Sequence, residues 1–227
     1  INADWHEIIP ALKLDKRIKV IRNDKNYGTY ISKNIGIKYS LGEYITFNDS
    51  DDYSMCNRIE IQLNFLKNNL EFQGCNCGFV SRSSKKLSIA EISLFMRRTL
   101  LNNIGFFDSV RVAADTEYRR RAIVSGFKIQ YIAQYLYTCM DRFMEGNSKG
   151  KETSLTLSKE IGINSNTRNI YRRQFEQYHN LIKTKNKTPY IDFPQNNRHF
   201  TLDKNNEFHD LMIPKLSDRM IKHLNNL

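Results

Sequence analysis

Apolar residues recur along this chain with two different periods. Trp5, Ile8, Ile9 and Leu12 return at three- and four-residue intervals, which predicts a helix over 3–13. Ile18, Val20 and Ile21 in "RIKVIRN" predict a strand over 17–23. Tyr30, Ile31, Ile35 and Tyr39 form the stripe of a helix, and Gly42 is placed to end it. "EYITF" (43–47) reads as a compact strand, and Ile59, Leu63 and Leu66 stripe a helix over 56–68. Further on, "GCNCGFVSR" and "SIAEISLFMRR" (88–98) read as strands, with a short helix over 99–104. A loop, "GFFDSVRVAAD", leads to a helix over 115–125 that Gly126 ends, followed by two short strands, "FKIQYI" and "YLYTCM". Residues 142–155 are polar and contain glycine, as a mobile loop would. Tyr171, Phe175, Tyr178 and Ile182 stripe a helix within 158–183; residues 184–206 are polar and poorly patterned, and a last helix is expected over 216–226.

The first half alternates helix and strand, which predicts an α/β sheet with parallel strands. The chain carries no internal repeat. In such sheets ligands bind at the carboxyl ends of the strands. "ITFNDSDD" puts Asp49, Asp51 and Asp52 there, at the end of the 43–47 strand. Two readings compete: Asp-Ser-Asp is ordinary turn chemistry, and it is also a way to hold a cation that holds an anion.

Composition narrows the classes. The chain has 227 residues, enough for one domain or one domain with an appendage. It is 40% hydrophobic with 10 Gly and 4 Pro, which excludes a fibrous or low-complexity chain. The net charge of +11 is compatible with nucleic acid, anionic lipid or a phosphorylated substrate. The lysines are scattered rather than patched. Cys56, Cys75, Cys77 and Cys139 show no zinc spacing and read as reduced thiols of a cytoplasmic protein. No apolar run is long enough to predict a membrane span, and no secretory signal opens the chain. It begins at Ile1 rather than Met, as a fragment or processed form would. The five histidines lack H-x3-H spacing, no G-x-S-x-G elbow surrounds a serine, and no P-loop is present.

"NYGTYISKNIGIKYSLGEYITFNDSDD" resembles the inverting, nucleotide-sugar-dependent glycosyltransferases of family 2. The family's N-x-G, (R/K)-N-x-G, G-E-Y-I and D-x-D-D are matched by Asn26 to Gly28, Lys33 to Gly36, Gly42 to Ile45 and Asp49 to Asp52. "IGFFDSVRVAADTEYRRRAIVSGFKI" (104–129) resembles the second half of the same fold. The match covers about residues 5–145. It implies a GT-A fold, a Rossmann-like mixed sheet flanked by helices: a partial core over 1–145, then a loop and helical C-terminal extension over 146–227. Two departures stand out. The family's opening strand-helix-strand unit is not recognisable, and its Glu-Asp motif reads Ala114-Asp115, with Glu117 close behind.

The resemblance implies a donor nucleotide sugar, UDP-linked, and a glycan or glycoconjugate acceptor. Leaving diphosphate needs charge neutralisation, and Mn²⁺ or Mg²⁺ on carboxylates supplies it. Side chains two apart on an extended segment share a face, so Asp49 and Asp51 are the candidate metal and donor ligands. The family pattern aims Asp49 at ribose and Asp51 at the metal, with Lys33, Asn34 and Arg142 near the nucleotide and Ser154 to Thr156 in a closing loop. Asp115 is the candidate general base for the acceptor hydroxyl; its competing reading is a helix N-cap. Glu117 reads mainly as a helix-start charge, and Arg119 to Arg121 as a solvated face. No nucleic-acid partner is expected; peripheral membrane association and a homodimer stay open. Two rivals remain: an inactive, truncated GT-A-like binding or assembly module, and a two-metal nuclease using Asp49, Asp51, Asp115 and Glu117.

Overall fold

Gly28 shows how the first described helix begins. Its φ is +83°, a left-handed conformation open to glycine, and its N–H donates to Asn26 Oδ1 at 2.9 Å. The N-x-G triplet is therefore a turn that launches α1 (Thr29–Tyr39), which buries Tyr30, Ile31, Asn34, Ile35 and Ile37. The computed structural model describes residues 10, 14–50, 52–80, 87–138, 165–200 and 213–227.

After α1 come β1 (Tyr44–Thr46), β2 (Tyr53–Ser54), α2 (Arg58–Asn68) and β3 (Phe72–Val80). Then follow β4 (Leu87–Ile89), a 3-10 turn (Glu91–Ser93), β5 (Phe95–Arg97) and α3 (Arg98–Ile104). The remaining elements are α4 (Ala114–Val124), β6 (Lys128–Thr138), α5 (Ser165–Lys183) and α6 (Asp218–Asn225). The strands form one six-stranded sheet in the order β1-β5-β3-β6-β2, with β4 on β3. β3 and β6 run parallel, and the other pairings are antiparallel. The sheet is mixed, as the expected GT-A fold class requires, whereas the parallel strands expected from the alternation are met among the described residues by β3 and β6 alone.

Several elements differ from their sequence readings. Residues 17–23 are not a strand, and Ile18, Val20 and Ile21 are 40%, 41% and 36% exposed. A strand needs a neighbour to take its backbone hydrogen bonds. Among the described residues β1 ends the sheet and pairs with β5 alone. The predicted strand over 88–98 breaks into β4, the 3-10 turn and β5. Ser93 stabilises the break: its hydroxyl donates to Ala90 O at 2.7 Å and accepts from the Cys77 N–H at 2.9 Å. The two strands read in "FKIQYI" and "YLYTCM" are one strand, β6. Its register slips against β3 between Ile132 and Tyr135, and this irregularity interrupts the alternation. The helix expected over 3–13 falls almost entirely outside the described residues.

α2 turns a face to the sheet that its apolar stripe does not predict. Ile59 is 53% exposed, while Arg58, Gln62 and Leu66 are buried. The two polar side chains are tolerated because backbone carbonyls receive them. Gln62 Nε2 donates to Cys75 O at 3.2 Å and Ser93 O at 2.9 Å. Arg58 donates to Thr46 Oγ1 and to Phe47 O, both at 3.2 Å.

The main core takes Ile31 and Ile35 from α1, Phe107 from the loop before α4, and Tyr118 from α4. Tyr171 and Phe175 of α5 and Met220 and Leu224 of α6 belong to that same core. Gly105, at φ +75°, bridges to Ile191; a Cβ there would meet the Ile191 carbonyl oxygen at 2.0 Å. Between α4 and α5 lies a buried charged cluster. Arg121, fully buried, meets Glu117 at 2.9 Å and also donates to the carbonyls of Ile104, Phe106 and Pro189. His179 Nε2 meets the same carboxylate oxygen as Arg121 Nε, 3.0 Å from Glu117 Oε1. Burial opposes ionisation of Glu117, but the Arg121 charge and His179 outweigh it and hold the carboxyl below its ordinary value.

Candidate active site

β1 delivers its carboxyl end to the aspartates. A turn closes there, the Asp52 N–H donating to Asp49 O at 3.1 Å. Asn48 Nδ2 donates to Asp49 O at 2.8 Å, and Ser54 Oγ donates to Asn48 Oδ1 at 2.5 Å. The turn reading of this segment is thus met by its hydrogen bonds. Tyr137, on β6, ties it to the sheet: its buried hydroxyl accepts from the Asp49 N–H at 3.2 Å and donates to Asp52 Oδ2 at 3.0 Å. Burial, followed by the nearby aspartate charges, raises the Tyr137 phenol far enough to keep it a donor at any ordinary pH, despite the opposing Asp49 N–H.

α1 faces this turn. Lys33 Nζ sits 2.9 Å from Asp49 Oδ1, with the lysine side chain 11% exposed and the aspartate 35%. The ammonium also lies over the rings of Tyr30 and Phe47, at 5.5 and 5.9 Å from their centroids. One turn earlier on the same face, the Tyr30 hydroxyl donates to Asp115 Oδ1 at 2.9 Å. Asp49, Lys33, Tyr30 and Asp115 thus form one continuous polar line across the carboxyl end of β1. The two carboxylates stand at its two ends.

Asp115 lies in the first turn of α4 but is not its N-cap; Ala113, at φ 59°, occupies that position. Asp115 Oδ1 accepts from the Thr116 N–H at 2.8 Å as well as from Tyr30. Arg119, one turn further along α4, binds Glu91 of the 3-10 turn through both carboxylate oxygens, at 2.6 and 2.9 Å. Desolvation raises the Glu91 carboxyl; Arg119 opposes the shift and the Asp115 charge adds to it. Glu91 therefore belongs to the surroundings of Asp115, a neighbour the sequence left unmarked.

Other expected residues take different places. Asn34, expected near the nucleotide, is wholly buried, and its amide both donates to Phe107 O and accepts from the Phe107 N–H, at 2.9 and 3.0 Å. It holds the loop that leads to Asp115. Glu117 lies in the first turn of α4, as expected, and is buried there in the Arg121–His179 cluster. Of Arg119 to Arg121 only Arg120 keeps the expected solvated setting, in an exposed pair with Glu176; Arg119 pairs with part-buried Glu91 and Arg121 with buried Glu117. Asp51, Arg142 and the Ser154 to Thr156 stretch lie outside the described residues. A cavity of about 360 Å³ between α4 and α5 is lined by Arg120, Glu176, His179 and Lys183, and none of the residues lining it belongs to the Asp49–Asp115 line.

The described residues contain no group of three or more side chains that could hold a metal. Asp49 already has an ammonium on Oδ1, so a divalent ion at Asp49 would have to share or displace Lys33. Asp51, the other expected metal ligand, lies outside the described residues. Cys75 and Cys77 are buried, and burial pushes the Cys75 thiol up to about 12, which removes it from nucleophile or ligand chemistry.

Comparison with known proteins bears on this geometry. The sequence model described as "Glycosyl transferase family 2" matches residues 4–127. An uncharacterized glycosyltransferase of Rickettsia conorii is 38% identical over 93 residues, 40% of this chain and 15% of that protein. The Escherichia coli UDP-Glc:alpha-D-GlcNAc-diphosphoundecaprenol beta-1,3-glucosyltransferase WfgD is 31% identical over 110 residues, 40% of this chain and 44% of that protein. The chain thus spans less than half the length of either relative. The crystal structure of S. aureus TarS 1-349 in complex with UDP-GlcNAc superposes with a TM-score of 0.54 at 16% identity, over 71% of this chain and 53% of that one. That likeness shows the GT-A fold expected from the motifs.

Proposed function

The chain belongs to glycosyl transferase family 2, and from that premise we propose that it transfers a hexosyl or N-acetylhexosaminyl unit from a UDP-sugar to a glycan or glycoconjugate, with inversion. The observation that carries this reading is the line Asp49–Lys33–Tyr30–Asp115 across the carboxyl end of β1. It sets one carboxylate at the strand-end turn and a second at the start of α4, with the Lys33 ammonium between. The names of its relatives support the donor class: WfgD and WfaP of E. coli are UDP-Glc-dependent glucosyltransferases by name, and the TarS structure holds UDP-GlcNAc.

In this reading the acceptor hydroxyl attacks the anomeric carbon from the face opposite the diphosphate. The new carbon–oxygen bond forms as the bond to the diphosphate oxygen breaks, and the leaving oxygen keeps the electron pair. Asp115 takes the hydroxyl proton. Asp49 orients the donor, and Lys33 offers positive charge close to where the diphosphate's negative charge grows. Asp49 and Asp51 would hold Mn²⁺ or Mg²⁺, which would supply Lewis-acid neutralisation of the leaving diphosphate. The test is UDP release from UDP-glucose and UDP-GlcNAc. Asp115→Asn should lower turnover by about 10²–10⁴-fold, the usual contribution of a positioned general base, while UDP still binds. An Asp115→Asn protein with full turnover would remove the base assignment, and a folded wild-type protein that neither binds nor releases UDP would favour an inactive binding module.

A further inference from the structure

Asp115 is held in an unusual way for a carboxylate offered to a substrate. Among the described residues, both hydrogen bonds to its side chain fall on the same oxygen. Thr116 N–H reaches Oδ1 at 2.8 Å and the Tyr30 hydroxyl reaches Oδ1 at 2.9 Å. The Thr116 contact is local to α4. The Tyr30 contact comes from another helix, 85 residues away in sequence. Together the two donors set which oxygen points into the protein.

Tyr30 is suited to this by its own restraint. It is 8% exposed. Its ring packs against Phe107 at 5.7 Å between centroids and lies under the Lys33 ammonium. Phe107 in turn is clamped by Asn34 through both of its backbone groups. The hydroxyl therefore has a fixed direction. Its proton stays in place: burial first, then the Asp115 charge, raise the phenol well above its ordinary value.

We propose that Tyr30 is a positioning residue for Asp115, pinning Oδ1 so that Oδ2 is the atom that receives the acceptor proton. This rests on the reading of Asp115 as general base. Tyr30 gives up no proton in the step. The proton leaves the acceptor oxygen, arrives on Oδ2, and departs to solvent after the product leaves. Because Tyr30 and Lys33 share one face of α1, the helix that orients the base also carries the cation beside Asp49. A shift of α1 would misplace both ends of the site together.

The experiment is a double-mutant cycle on UDP release from UDP-glucose and UDP-GlcNAc, with Tyr30→Phe, Asp115→Asn and the double variant. Tyr30→Phe should lower kcat by about tenfold, a fraction of the roughly 10²–10⁴-fold of a general base, and leave the donor KM within about twofold. In the Asp115→Asn background the same change should have no further effect on kcat. A Tyr30→Phe loss that persists in full in that background, or one that appears in KM alone, overturns the proposal. Tyr30→Phe with wild-type kcat, beside an impaired Asp115→Asn, overturns the proposal and leaves the function reading standing. Asp115→Asn with full turnover, or a wild-type protein that releases no UDP, overturns the function reading and the proposal with it. Urea unfolding of the same four proteins reads the contact itself: a stability cycle with no coupling between the two positions overturns the hold of Tyr30 on Asp115.

Discussion

Lys33 and Asp49 illustrate how one side chain can be read from sequence and still change meaning in space. Lys33 was expected beside the nucleotide; in the fold it also neutralises the aspartate that was expected to face ribose and metal. Removing it should make the site depend on an outside cation. Lys33→Ala is expected to release UDP more slowly than wild type, and added Mn²⁺ should restore more of its rate than it adds to wild type. Equal responses to Mn²⁺ in the two proteins would refute this competition for Asp49. Tyr137 works at the same scale. Its hydroxyl links Asp49 and Asp52, and a hydrogen bond to a charged group contributes about 1.5–3 kcal/mol. Tyr137→Phe should therefore loosen the turn and weaken UDP binding measured by calorimetry. Asn34, Gly105 and Asp108 carry the opposite lesson. They lie in family motifs, yet Asn34 clamps Phe107, Gly105 makes room for Ile191, and Asp108 receives Tyr171 and Arg198 at 2.9 and 2.5 Å. A motif marks a residue as required without saying whether chemistry or scaffold requires it.

α4 and α5 are held together by polar groups where a hydrophobic stripe would be the simpler solution. The Glu117–Arg121–His179 cluster is fully enclosed and joins both helices to the loop at Ile104 and Phe106. Breaking one partner leaves an uncompensated buried charge, which costs about 3–5 kcal/mol. Arg121→Met is expected to fall in that range in urea unfolding, well beyond the effect of Arg120→Met on the exposed Glu176 pair. The pH dependence has a definite sign. Glu117 is held below its ordinary value of 4.5 in the folded protein. Its contribution is therefore complete above that pH and is lost as pH falls toward the lower, folded-state value. Glu117→Gln should flatten the acid limb of stability below pH 4.5, and an unchanged limb would count against the cluster's role. α2 makes the same point in a milder form, since its buried face is Arg58, Gln62 and Leu66. Polar side chains with carbonyl partners can face inward, and a count of apolar positions cannot see the partners.

Across the whole molecule, the helical segment after residue 164 is not a separate body. Tyr171, Phe175, Met220 and Leu224 close the core that Ile31, Phe107 and Tyr118 begin. A protein ending at residue 164 should lose cooperative unfolding, because truncating even one buried aromatic costs about 3–5 kcal/mol; a sharp urea transition in that protein would refute the shared core. Much of this molecule follows from the order of its residues alone. Local periods set α1, β1, α3, α4 and most of α5, since those elements depend on neighbours a few positions away. The chain of motifs from Asn26 to Asp52 and from Gly105 to Asp115 led to the family and its fold. Tertiary structure decided the rest, wherever the outcome depends on a distant partner. Residues 17–23 have a strand's apolar pattern and, among the described residues, no strand beside them. Arg121 has a charge that sequence assigns to solvent, and distant carbonyls and Glu117 take it into the core. Tyr30 counts as one apolar position of a helix until Asp115, 85 residues on, comes within reach of its hydroxyl. Periodicity records what a segment can bury; only the packed chain determines what it meets.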